Sequence, residues 1–206
     1  MSYNNLTAAD SDALTKLEEL NLSHNSLTAD TLTLPSVINY TSWSSPDIEL
    51  DLSYNNLSSL PGMPDEYISE LDVTGNSLTE LNVSGFTLLE ELYAGENHLT
   101  ALDTTPNSKL STLWVDYNHG MNTLTLYNDL SALNISGTKI PMFGVPARLG
   151  RFYADTMDYE LVSVDLTSFD ALDILHMSNN GEGLKKVLMT DWCPITPERS
   201  TCSKTH

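Results

Sequence analysis

The side chains of this chain that could do chemistry are aromatic rings and carboxylates recurring at a fixed spacing. One place after the second leucine of a repeated L-x-x-L-x-L unit stand Asn21, Asp51, Asp72, Tyr93, Trp114, Asn134, Tyr153 and His176. One place before it stand Glu19, Glu49, Glu70, Glu91, Thr112, Ala132, Arg151 and Ile174. Further along each unit come Ser53 and Tyr54, Asp116 and Tyr117, and Asp155 and Thr156. Rings with a polar handle beside carboxylates serve non-covalent recognition, giving apolar contact area and orientation together. Catalysis has no comparable signal. Five histidines form no metal or catalytic spacing, and H-E-x-x-H, P-loop and G-x-S-x-G motifs are absent. Asp72, Asp116 and Asp155 match no calcium loop. No catalytic residue, metal or cofactor is expected, and the chain is expected not to be an enzyme.

The elements that must position these residues follow from the repeat. Leu71-Asp72-Val73-Thr74-Gly75-Asn76-Ser77-Leu78 returns as Leu92 to Leu99 and again from Leu113, each copy 21 residues after the last. Self-similarity at 20–50 residues marks a stacked-repeat architecture. The main series of rungs runs Leu20, Leu50, Leu71, Leu92, Leu113, Leu133, Phe152 and Leu175. A second series lies half a repeat away at Leu60, Leu81, Leu102, Leu124, Phe143, Val164 and Val187. Two series with one period imply two short parallel strands per coil, with alternate residues such as Leu71 and Val73 pointing inward. A step of 21 leaves little room for helix; one short stretch is expected at Ala8 to Leu17, capped by Asp10 or Ser11. The fold class is therefore a β-rich, right-handed solenoid. The first step is longer by about nine residues between Leu27 and Asp47, which predicts a loop expelled on one face.

Five places after each rung stand Asn25, Asn55, Asn76, Asn97, Asn118 and Asn180, with Thr138 and Met157 interrupting the series. An inward asparagine can pair with backbone groups that a tight turn would otherwise bury unsatisfied, so this ladder is read as structural. Stacked in register, the outward residues form an acidic ladder over the first coils and an aromatic strip over the middle ones. The ligand-binding candidates are Tyr54, Glu70, Asp72, Glu91, Tyr93, Trp114, Asp116, Tyr117, Tyr153 and His176. Tyr117 is expected beside the strip, on the concave face that curved solenoids use for ligands. The competing account is cross-strand stacking that only stabilises the sheet. The corresponding second-series column carries no aromatic strip, which favours the main series as the functional face.

The motif L-x-x-L-x-L-x-x-N-x-L-x-x-L-D-L is similar to the short bacterial leucine-rich repeats of the IRREKO type and to adhesin-type repeats of Bacteroidetes surface proteins. Leu60-Pro61-Gly62-Met63-Pro64 resembles, in one coil, the L-P-x-L-P of secreted effectors from enteric pathogens. The resemblance covers roughly residues 1 to 190 and implies a leucine-rich-repeat fold. It leaves activity open, because one architecture hosts many functions.

Nine Lys and Arg against 28 Asp and Glu give a formal charge of −19, and no Lys or Arg occurs between Leu17 and Ser108. Such a surface repels phosphate backbones and anionic headgroups, which argues against nucleic-acid or membrane-surface roles. No apolar run reaches the roughly 18 residues needed to span a membrane. Ser2 to Leu6 repeats Ser53 to Leu57, so Met1 falls in mid-repeat. We expect a piece of a longer protein whose export signal lies upstream, and an extracellular or cell-surface location. The division expected is a solenoid over 1–190 and a closing segment over 191–206, with Trp192 over the last coil and poor order after Ile195. Cys193 and Cys202 are spaced to close a small disulfide loop, with two free thiols as the alternative. The expected partner is a protein or peptide; the acidic balance would favour a basic or neutral one, with a merely solubilising acidic surface as the alternative account of the charge. A glycan and end-to-end self-association are the alternatives.

Overall fold

A computed structural model describes residues 2–36, 38, 47–63, 65–126, 130–140, 148–157, 163–166, 171–181, 186–188 and 201–203. Strict alternation around each rung selects extended backbone. The rung residues from Leu50 to Leu175 are buried, and so are Leu22, Leu52, Val73, Ala94, Val115, Ile135 and Ala154 two places on. Each coil covers its inward side chains with those of the next, so one continuous core runs along the axis.

The main sheet takes one parallel strand from each coil: Glu19–Asn21, Ile48–Asp51, Ile68–Asp72, Glu91–Tyr93, Thr112–Trp114, Ala132–Asn134, Arg151–Tyr153 and Ile174–His176. Rung stands against rung throughout, with one irregularity where Ile48 and Glu49 face Ile68 and Glu70. The strands are short, but their hydrogen bonding continues past them. Val73 N–H donates to the Tyr93 carbonyl at 2.8 Å and Gly75 N–H to that of Gly95 at 3.0 Å, and every neighbouring coil repeats the pair.

A left-handed residue four places after each rung then turns the chain. This column reads Tyr3, His24, Tyr54, Gly75, Glu96, Tyr117, Gly137, Thr156 and Asn179, with φ between 47° and 68°. Non-glycine residues tolerate this region only where surrounding contacts over-determine it. At His24, Tyr54, Gly75, Glu96, Tyr117 and Asn179 the next residue supplies them, because it is the buried Asn of the ladder. Asn97 Nδ2 donates to the carbonyls of Val73, Ala94 and Gly95, and its Oδ1 accepts from Leu78 N–H at 3.0 Å. Asn55, Asn76 and Asn118 make equivalent sets, and Asn25 and Asn180 bridge the ends. At Thr138 the fully buried hydroxyl replaces the amide, donating to Ile135 O at 2.6 Å and accepting from Ile140 N–H.

Several expectations need correction. Ala8 to Leu17 holds no helix. Ala9–Asp10 is a strand parallel to Leu32–Thr33, because the N–H groups of Ala9 and Ser11 donate to Thr31 and Thr33 in the next coil. Asp10 accepts from Asp12 N–H and so makes a turn where a helix cap was expected. The second strand forms in only part of the coils, as Ala101–Asp103 with Thr123–Thr125 and Ser163–Asp165 with Lys186–Leu188. It is missing at Leu60 and Leu81. Pro61 has no N–H to donate to a ladder, and Asn82 bends the chain by accepting from Ser84 N–H. Phe143 lies outside the described residues.

The stretch between Leu27 and Asp47, where the loop is expected, is described only in part. Leu27, Leu32 and Leu34 are buried in the solenoid, and residues 39–46 lie outside the described set. Poor order after Ile195 is not what the backbone of Thr201–Ser203 does: it pairs antiparallel with Ile174–His176. The last coil would otherwise leave that strand's N–H and C=O groups open. Trp192 and Cys193 lie outside the described residues, and nothing is described of the Cys202 side chain.

Candidate binding face on the main sheet

Register alone assembles two rows. Asn21, Asp51, Asp72, Tyr93, Trp114, Asn134, Tyr153 and His176 are consecutive partners across the sheet. Beside them runs the row Glu19, Glu49, Glu70, Glu91, Thr112, Ala132, Arg151 and Ile174. The rings are in contact: Tyr93 stands edge-on to Trp114 with centroids 5.6 Å apart, and Tyr153 stands 4.9 Å from His176. Two strands, ~9.6 Å of sheet, separate Trp114 from Tyr153. Their centroids are nevertheless 6.1 Å apart, so both rings lean over Asn134. Trp114 remains 38% exposed, more than a packed core residue would be.

The acidic members of the first row also have a local task. Asp51 and Asp72 accept from the N–H groups of Ser53 and Thr74 two residues on, and Asn21 and Asn134 do the same for Ser23 and Ser136. This side-chain-to-backbone turn eases the chain from the strand into the left-handed corner. Tyr93, Trp114 and Tyr153 occupy the same place and have no such acceptor.

Between the rows lies a shallow groove of about 190 Å³ bounded by Glu19, Glu49, Glu70, Asn21, Asp51 and Asp72. Burial, with repulsion from Glu91 and Glu49, holds the Glu70 carboxyl above its ordinary range. Burial likewise raises Asp72, against the opposing pull of Thr74, and raises Asp116, against its own backbone N–H. Tyr93 is raised by burial and by its hydroxyl's hydrogen bond to Glu91. A carboxylate raised in the folded state binds protons there more readily than in the unfolded chain. It therefore costs stability at neutral pH, and that cost fades as pH falls through the raised value and is gone below the unfolded one. Thermal melts are expected to show Tm rising as pH falls from neutral through the raised carboxylate values, with Asp72→Asn flattening the rise. Asn21 and Asn134 show that asparagine keeps the turn hydrogen bond at this place. A Tm falling monotonically over that window would refute the assignment.

Tyr54, Tyr117 and Asp116 leave the two rows. Tyr54 belongs to the left-handed column, lies over Gly75 and donates from its hydroxyl to Glu96 at 3.1 Å. Tyr117 lies over Gly137 with its edge toward His119, and the Asp116 carboxylate covers Gly95. The reading along the chain missed the stack that opens this column. Tyr3 and His24 are 4.1 Å apart and His24 and Tyr54 4.5 Å, all nearly parallel. Reading the residue before each ladder asparagine as a column would have found it. Among the described residues no group of three or more His, Cys, Asp or Glu could hold a metal ion. No helix there is long and apolar enough to cross a membrane.

Parallel rungs on a short period with a buried asparagine at most corners define a leucine-rich-repeat solenoid. The Leucine Rich Repeat family model matches residues 16–40. The chain is similar in fold to the functional domain of InlJ from Listeria monocytogenes, described as including a cysteine ladder. The TM-score is 0.57 at 21% identity, over 93% of this chain and 44% of that one. This chain spans less than half the length of that neighbour, and it has two cysteines in all. No curated protein matches the chain.

Proposed function

We propose that the main-sheet face is a non-enzymatic protein- or peptide-binding surface of a bacterial cell-surface or extracellular protein, with residues 1–190 as its solenoid and 191–206 as a closing segment. One observation carries the reading. At Tyr93, Trp114 and Tyr153 the chain forgoes the turn-stabilising Asn or Asp found at Asn21, Asp51, Asp72 and Asn134. It presents large rings there, Trp114 substantially exposed. A break with the local rule that leaves a large ring open to solvent is what functional positions tend to show.

Trp114→Asn is the discriminating variant. Asparagine restores the turn hydrogen bond, of order 1 kcal/mol, while removing ring contacts worth about as much, so Tm should stay nearly constant. Peptides selected on the native protein from a displayed library should bind the variant at least tenfold more weakly. A clear drop in Tm with unchanged affinity would mean that the rings serve only the sheet. The rows of rings beside carboxylates also suit a sugar, and a glycan array bearing no peptide separates that reading. Sizing at several concentrations tests end-to-end association.

A further inference from the structure

We propose that the segment this face takes is extended and cationic at alternate residues, with one Lys or Arg side chain held on Trp114 and the next ones following the glutamate row toward Glu49. The inference rests on the peptide-binding reading above and names the ligand chemistry of that site.

The ring geometry favours a cation. Tyr93 meets Trp114 at 72° and Tyr153 meets it at 53°, so the three rings form broken walls around the indole and not one flat platform. Tilted rings offer a sugar no flat platform, whereas a cation needs the π-face of one ring, and tryptophan, here partly exposed, is the strongest cation–π acceptor. Charge points the same way. Tyr93 has Asp72 as its neighbour in the row, and its hydroxyl is bonded to Glu91. Among the described residues no Lys or Arg pairs with Glu49, Glu70, Glu91, Asp51 or Asp72, and the sequence places none between Leu17 and Ser108. Glu70 is raised first by burial and then by repulsion from Glu91 and Glu49, and that repulsive part is a cost an arriving cation relieves.

Dimensions set the pattern. Three strand spacings, ~14 Å, and the two-residue offset between the rows, ~6.8 Å, put Glu49 ~16 Å from Trp114 along a diagonal. An extended chain laid along that diagonal covers it in about five residues, with same-side side chains ~6.8 Å apart. Cations at positions i, i+2 and i+4 then meet Trp114, the Glu70–Glu91 pair and Glu49. Beyond Trp114 the row changes to Arg151, which repels a continuing cationic run and confines it to the acidic half.

The test uses synthetic peptides on the whole chain: acetylated Thr-Lys-Thr-Lys-Thr-Lys-Thr, the same peptide with each lysine replaced by norleucine, and one with trimethyl-lysine. The lysine and trimethyl-lysine peptides should bind, weaken with added salt, and lose at least tenfold on Trp114→Leu but less on Trp114→Phe. The norleucine peptide should lose at least tenfold on the native protein. Equal binding of the norleucine peptide overturns the inference and leaves the peptide-binding reading standing. Binding of the lysine peptide that ignores Trp114→Leu, or none at all, overturns the inference as well. A glycan that competes at the face while no peptide selects overturns both.

Discussion

Asn97→Ala is expected to lower the unfolding free energy by about 3–5 kcal/mol in a urea or thermal melt. Asn97 is 3% exposed and links four backbone groups through four hydrogen bonds. Alanine leaves the Leu78 N–H and the Val73 carbonyl without their side-chain partner in a place water does not reach. Each buried unsatisfied group costs about 1–3 kcal/mol, and the vacated volume adds to that. A domain whose whole stability is about 5–15 kcal/mol feels such a loss globally. In a solenoid it also uncouples the coils on either side. Asn97→Asp offers a second reading of the same site. It keeps the acceptor for Leu78 but turns an anionic oxygen toward carbonyls, so it should be as damaging at neutral pH and partly relieved when acid protonates it. A loss below about 1 kcal/mol for the alanine variant would show that the ladder is dispensable.

Gly75→Ala is expected to cost about 2 kcal/mol, from two separable sources. Gly75 has φ +68°, where a Cβ costs roughly 1 kcal/mol. That Cβ would also stand 2.5 Å from Cδ1 of Tyr54, so the ring must leave and with it the hydroxyl contact to Glu96. The second part should vanish in a Tyr54→Ala background, where the same substitution is expected to cost about half as much. Gly181 is the internal control, with φ +67° and nothing within 4 Å of an added Cβ. Gly181→Ala should therefore show the backbone cost alone. Equal losses at Gly75 and Gly181 would mean that Tyr54 moves aside freely.

The ladder and the two outward rows were legible in the sequence because the period itself decides which residues become neighbours. Leu71, Leu92 and Leu113 must stack if they repeat at the coil length, and every residue at a fixed offset then stacks with them. The same logic failed where the period does not speak. Ala8 to Leu17 carries helix-compatible residues, yet its N–H groups find partners in the coil of Thr31 and Thr33. The second series repeats as regularly as the first, but proline and an asparagine-driven turn deprive Leu60 and Leu81 of a ladder. Tyr54 and Tyr117 stand in the left-handed column beside the strip, and that their rings lie over Gly75 and Gly137 of the next coil is something spacing along the chain does not say.

By itself the sequence determined the coil, its buried asparagines and the order of side chains across the sheet, since these follow from spacing and from which backbone groups must be paired. Only the tertiary structure decided where the rings go once they leave the sheet. Trp114 and Tyr153 close over Asn134, and Tyr54 reaches past Gly75 to Glu96, because each neighbouring coil presents a residue small enough to be covered. A rotamer depends on the volume left free next door, and that volume exists only after the coils have stacked.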